Sequence, residues 1–104
     1  LMLGVPFNIA SYGLLLLLLS RHAGLEPGEL KGDLDDCHIY GNQLEPAKLQ
    51  ALRVPDKLPI VTIPNNCEEE RDQEWFEIFK WDHTQVKTEG YKPQEEIKFE
   101  LTVN

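Results

Sequence analysis

Apolar side chains crowd the first quarter of the chain and thin out toward its end. From Ile9 to Ala23 polar residues are few, and Leu14 to Leu19 are six consecutive leucines. A segment that is apolar all round predicts a helix buried on every side. Its ends are marked. The Pro6-Phe7-Asn8 segment starts it, with Asn8 of a type that caps helix starts, and Gly24 followed by Leu25 is the pattern of a left-handed terminator with its apolar follower. Glu26-Pro27-Gly28-Glu29 then reads as a type II turn, with Pro second and Gly third. Leu30 to Tyr40 reads as extended chain.

A second helix is predicted from Gln43 or Leu44 to Arg53, with Pro46 in its first turn, Leu49 and Leu52 on one face, and Pro55 as its end. Leu58 to Ile63 is β-branched and apolar and predicts a strand, with Pro59 marking an edge or an entry point. Pro64 to Gln73 is polar and acidic and predicts a solvated loop or a short exposed helical turn. Trp75 to Trp81 and Gln85 to Glu89 read as strands around an Asp82-His83-Thr84 turn. From Glu96 to Val103, Ile97, Phe99, Leu101 and Val103 alternate with polar residues, the pattern of a strand with one buried face. The elements together predict an α+β class, with a buried helix packed on a mixed β-sheet.

Charge is distributed as unevenly as hydrophobicity. Residues 1 to 25 hold one formal charge, Arg21, whereas residues 66 to 100 hold 5 basic and 11 acidic side chains. The net charge of −8 over 104 residues disfavours DNA and other nucleic-acid partners, which require clustered cations. The leucine run is too short for a membrane span, which needs about 20 apolar residues, and it lacks the basic start and cleavage site of a signal peptide. Two cysteines thirty residues apart, Cys37 and Cys67, make no disulfide framework and no zinc pair, which leaves a reducing, cytoplasmic setting as the expectation. The run Glu68-Glu69-Glu70 has no histidine beside it and reads as solvated surface, not a metal site. Position 1 is Leu within an apolar run, so residues 1–104 are expected to be one piece of a longer domain.

Three stretches carry chemistry: Leu3-Gly4-Val5-Pro6-Phe7-Asn8-Ile9-Ala10-Ser11-Tyr12, His38-Ile39-Tyr40 with Asn42, and Glu89-Gly90-Tyr91 with Pro93 and Ile97-Lys98. In this order and spacing they resemble the carboxyl-terminal part of thymidylate synthases and the related pyrimidine hydroxymethylases, over essentially the whole chain. The resemblance implies the thymidylate synthase fold and reductive methylation of deoxyuridine monophosphate (dUMP) to dTMP by 5,10-methylenetetrahydrofolate in a homodimer. In that chemistry a cysteine thiolate attacks C6 of the base, the folate methylene is captured at C5, a proton is removed, and hydride from the folate completes the methyl group. The nucleophile is expected upstream of Leu1, with the phosphate-binding arginines, so no residue of this chain is given a catalytic role. A hydroxymethylase, in which water replaces hydride, and an inactive remnant acting as an interaction domain are the alternatives.

The residues themselves agree with the implied roles. An amide both accepts and donates, so Asn8 can accept from uracil N3–H and donate to O4, a pairing a carboxylate cannot make. Helix capping is its competing role. His38 and Tyr40, two apart in extended chain, leave the same face and can converge on one hydroxyl. The resemblance gives this pair the deoxyribose hydroxyl. It gives Leu3, Gly4 and Phe7 the folate, where a glycine lets backbone approach a flat ring, and it places Tyr12 near the pocket. Cys37-His38 imitates a nucleophile pair, but acidic neighbours are the wrong setting for a thiolate. Asp35 and Gln43 stand where the family usually has glycine and histidine, and Asn104 follows the apolar end expected at Val103.

Overall fold

Proline, not asparagine, sets where the first helix begins. The structure is a computed structural model that describes residues 1–68 and 74–101. In it α1 spans Val5–Ala23, with Pro6 in its first turn and Gly4 as its N-cap. Pro6 lacks an N–H exactly where a helix leaves that group unpaired, and its fixed φ is already helical. The first intrahelical bond runs from Asn8 N–H to the Gly4 carbonyl at 3.0 Å. Asn8 therefore lies inside the helix and caps nothing, which overturns the capping role. At the other end Gly24 has φ +68° and Leu25 N–H returns to the Ser20 carbonyl at 2.9 Å, as the terminator pattern predicts. Arg21 and His22 occupy the last turn, where the helix dipole favours cations.

The six leucines do not form a helix buried on all sides. Leu18 is buried and Leu14 and Leu17 pack beside it, while Leu15 and Leu19 are exposed. Positions 14, 17 and 18 form one stripe, and that stripe meets Ile63 and Phe76, with Ile78 and Val86 at the margin. Arg21 lays its guanidinium 6.0 Å from the centre of the Phe76 ring and hydrogen-bonds Asn65, closing the cluster on its polar side. His22 accepts a hydrogen bond from Ile78 N–H at 3.3 Å, and its ring meets Phe79 edge-on. The interior is small for the length of chain. Its radius of gyration of 18.0 Å exceeds the roughly 13 Å of a compact chain of this size.

After Gly24 the chain runs without helix or strand to Tyr40. A 3₁₀ turn, Gly41–Gln43, leads into α2, Leu44–Ala51, close to the predicted second helix. Its predicted apolar face is not the one covered: Leu49 and Leu52 are exposed, whereas Gln43 and Ala47 are buried. Strand β1, Ile60–Thr62, pairs antiparallel with β4, Lys87–Glu89, with Val61 opposite Thr88. Gly90 follows at φ +74°, a left-handed position that explains the glycine. Strand β2, Cys67–Glu68, pairs with β3, Glu74–Trp75. Asn66 extends this ladder, since its side chain both accepts from Glu77 N–H and donates to the Glu77 carbonyl.

The α+β class therefore stands, but the expected single mixed sheet is replaced, among the described residues, by two two-stranded antiparallel ladders. The strand read over Trp75 to Trp81 stops at Trp75. Glu77 accepts from Phe79 N–H and starts a 3₁₀ turn at Ile78–Lys80, a local side-chain bond competing with the ladder. Glu96 to Leu101 forms no strand, although Ile97 and Phe99 are half-buried between exposed neighbours. The Glu69-Glu70 part of the acidic run, the rest of the loop to Gln73, and Val103 and Asn104 lie outside the described residues. Among the described residues, no helix is long and apolar enough to cross a membrane.

The Asp82 turn forms as expected and gives a pH-dependent contact. Asp82 Oδ1 accepts from Thr84 N–H at 3.0 Å at the start of a second 3₁₀ turn, His83–Gln85. That backbone bond, followed by the Thr84 side chain and the His83 charge, holds the carboxyl below the ordinary aspartate range. The folded carboxyl thus keeps its charge to lower pH than the unfolded one. The cap contributes fully above the unfolded value and is lost as pH falls through the folded value. We expect the Thr84 amide proton, followed by NMR, to titrate with a midpoint below ordinary aspartates and to stop titrating in Asp82→Ala. A midpoint at or above the ordinary range would show that the cap does not form.

Candidate functional site

The site residues named from the sequence fall on two segments that the fold sets side by side, the start of α1 and the chain from Leu30 to Tyr40. Leu1 and Val5 line one side of a cavity of about 140 Å³, and Leu34 to His38 line the other. Farther along the helix, Ile9 and Tyr12 face Leu30, Lys31, Gly32 and Leu34 across a larger cavity of about 480 Å³. Leu34 is common to both, so the two cavities are neighbours. Val5, Asn8, Ile9 and Tyr12 are spaced by three and four residues and share one helix face. Asn8 is an exposed residue on that side of the helix and lines neither cavity. Tyr12 lines the larger cavity.

His38 and Tyr40 come together as the period of extended chain requires. Their ring centres are 5.5 Å apart and nearly perpendicular, an edge-to-face contact. His38 Nδ1 lies 3.0 Å from the Asp36 carbonyl oxygen. A carbonyl only accepts, so this contact places the proton on Nδ1 and leaves Nε2 of the neutral ring as an acceptor. The Tyr40 hydroxyl can donate or accept. The pair therefore offers complementary partners to one hydroxyl group, and both side chains are exposed to receive it.

Leu3, Gly4 and Phe7 stand outside both cavities. Leu3 and Phe7 are exposed apolar side chains, Phe7 at 75%. Gly4 has an ordinary helical conformation, and a Cβ added there would meet nothing within 4 Å. Neither backbone conformation nor packing within the chain demands a glycine at that position. Leu3 and Phe7 are thus exposed apolar side chains on either side of an uncrowded Gly4.

Cys37 lines the smaller cavity and is exposed, with its N–H turned back to the Asp35 carbonyl at 2.8 Å. The nearest carboxylates in sequence are Asp35 and Asp36, and His38 follows the thiol along the same cavity wall. Among the described residues no three His, Cys, Asp or Glu side chains come close enough to hold a metal ion. From the sequence Gln43 is a possible start of the second helix and a departure from histidine, and neither reading gives its side chain a partner. Gln43 is 3% exposed, and its Nε2 donates to the Glu100 carbonyl at 2.8 Å, across 57 residues of chain.

Compared with known proteins, residues 1–103 match the family model described as thymidylate synthase. No solved structure matches the chain.

Proposed function

The chain belongs to the thymidylate synthase family, and from that premise we propose that its α1 start and its Leu30–Tyr40 segment bind dUMP for methylation to dTMP. The observation that carries the proposal is the His38–Tyr40 pair, two rings at 5.5 Å with the histidine tautomer set by the Asp36 carbonyl. In this reading Nε2 of His38 and the Tyr40 hydroxyl hold the 3′-hydroxyl of the deoxyribose, and the Asn8 amide pairs with uracil N3–H and O4. Asp33, Asp35 and Asp36 crowd the same stretch. Their charge repels a phosphate and leaves a hydroxyl unaffected, which supports a neutral sugar group lying here and the phosphate lying away from it. Leu3, Gly4 and Phe7 would take the ring of 5,10-methylenetetrahydrofolate, which supplies the one-carbon unit and its reducing hydride when bound.

None of these residues performs covalent chemistry. They bind and orient, which is where effective molarity comes from when two substrates must meet in one geometry. Asn8 fixes the base in its plane, the His38–Tyr40 pair fixes the far end of the sugar, and the apolar surface at Leu3 and Phe7 excludes water from the ring above. Assembly as a homodimer belongs to the same proposal: β1 leaves Ile60 exposed on the sheet face opposite Val61 and Ile63, an apolar group that a second copy would cover.

Titration of the chain with dUMP, followed by NMR, tests the reading. The expected result is a shift of the His38 and Tyr40 ring signals, with 2′,3′-dideoxyuridine monophosphate binding about tenfold more weakly for loss of one or two hydrogen bonds. Equal binding of the two nucleotides would remove the pair from the sugar site.

A further inference from the structure

The chain that precedes Tyr40 gives its backbone no regular support. From Leu25 to Tyr40 there is no helix and no strand, so no ladder fixes its backbone from that side. Its direction is set from the other side, by the turn that follows. Gln43 N–H donates to the Tyr40 carbonyl at 2.9 Å and closes that turn, and Leu44 N–H donates to the Gly41 carbonyl behind it. The turn is in turn fastened by the Gln43 side chain, whose Nε2 donates to the Glu100 carbonyl at 2.8 Å while being almost wholly buried. A hydrogen bond excluded from water is held in one geometry and is costly to leave unmade. Gln43 is thus attached at both ends, by its backbone to Tyr40 and by its amide to the segment that ends the described chain.

We infer that Gln43 is a positioning residue of the sugar site, which holds the Tyr40 ring against His38 by anchoring the Tyr40–Gln43 turn to the backbone of Glu100. The inference rests on the sugar-site reading above for its functional consequence, and on the two hydrogen bonds alone for its structural one. It predicts that the donor on the Gln43 side chain, not merely its bulk, is what matters. Met has nearly the same length and volume and no donor, so Gln43→Met keeps the packing and removes the bond. Gln43→His restores an N–H donor.

The experiment compares the full chain with these two variants by two readouts. The first is the ring-to-ring contact of His38 and Tyr40, seen as nuclear Overhauser effects and ring-current shifts without any ligand. The second is the ratio of affinities for dUMP and for 2′,3′-dideoxyuridine monophosphate, measured by titration. In Gln43→Met we expect the ring contact to weaken and the ratio to fall from about tenfold to about two- or threefold, as one oriented hydroxyl contact is lost. Gln43→His should restore both. A role in stability only would weaken both nucleotides alike and leave the ratio unchanged, and that result, or an intact ring contact in Gln43→Met, overturns the inference. Should the parent chain itself not distinguish the two nucleotides, the sugar-site reading fails, and the ring contact alone decides the role of Gln43.

Discussion

Phe76→Ala is expected to abolish most of the cooperative folding of this chain. The Phe76 ring is 3% exposed and stands between Leu18 of α1 and Ile63, the residue after β1, with the Arg21 guanidinium over its face. Removing a buried phenylalanine costs about 3–5 kcal/mol, the lost transfer energy plus that of the cavity left behind. Whole domains are stable by only about 5–15 kcal/mol, and an interior this small has few other groups to take up the loss. The melting temperature should fall on the order of 15 °C or more, or the transition should vanish. Ile63→Val, which removes one methylene from the same cluster, should cost about 0.5–1.5 kcal/mol. Leu19→Ala, on the exposed side of α1, should change stability by less than about 0.5 kcal/mol. If Phe76→Ala melted with its parent, the helix would be held to the rest of the chain by something other than this cluster.

The contrast between Leu18 and Leu19 also marks the limit of what the sequence could tell. Six identical residues have no periodicity, so the run indicates a helix without indicating which side of it is covered. The covered side depends on Ile63 and Phe76, which lie 45 and more residues away. Gly24, by contrast, acts through its own backbone angle, and the end of α1 was legible for that reason. The start was misread because two local signals competed: Asn8 is a strong cap, but Pro6 two residues earlier is an equally good first-turn residue and leaves Asn8 inside. Similarly, the aromatic and β-branched residues from Trp75 to Trp81 favour a strand, and the Glu77 side chain ended it by bonding Phe79 N–H. The alternation over Glu96 to Leu101 survives as half-burial of Ile97 and Phe99, without a strand partner. At the site, the His38–Tyr40 pair was legible because its geometry is a two-residue period. The Asp36 carbonyl and the Gln43 to Glu100 bond were not, since backbone oxygens carry no sequence signature and a separation of 57 residues carries no local one.

Asn8→Asp should lower the affinity for dUMP without harming the fold, and the second half of that expectation gives the first its force. The first turn of α1 contains no acidic residue. A carboxylate placed near the positive end of a helix dipole is stabilising by about 0.3–1 kcal/mol, and Asn8 is exposed and caps nothing. The variant should therefore melt at or slightly above the parent temperature. At the base the change is unfavourable. The amide donates to uracil O4 and accepts from N3–H, whereas the carboxylate only accepts and faces O4 with a lone pair and a charge. Cytosine presents an amino group where uracil has O4, and so relieves the contact. Losing a buried polar match costs about 1–3 kcal/mol, roughly a tenfold to hundredfold loss in dUMP affinity and in kcat/KM wherever the reaction is measured, with preference moving toward deoxycytidine monophosphate. Thermal melting and nucleotide titration on the same preparation separate the two effects. A variant that melts as expected yet keeps the parent preference for dUMP would leave Asn8 as an exposed helix residue with no part in choosing the base.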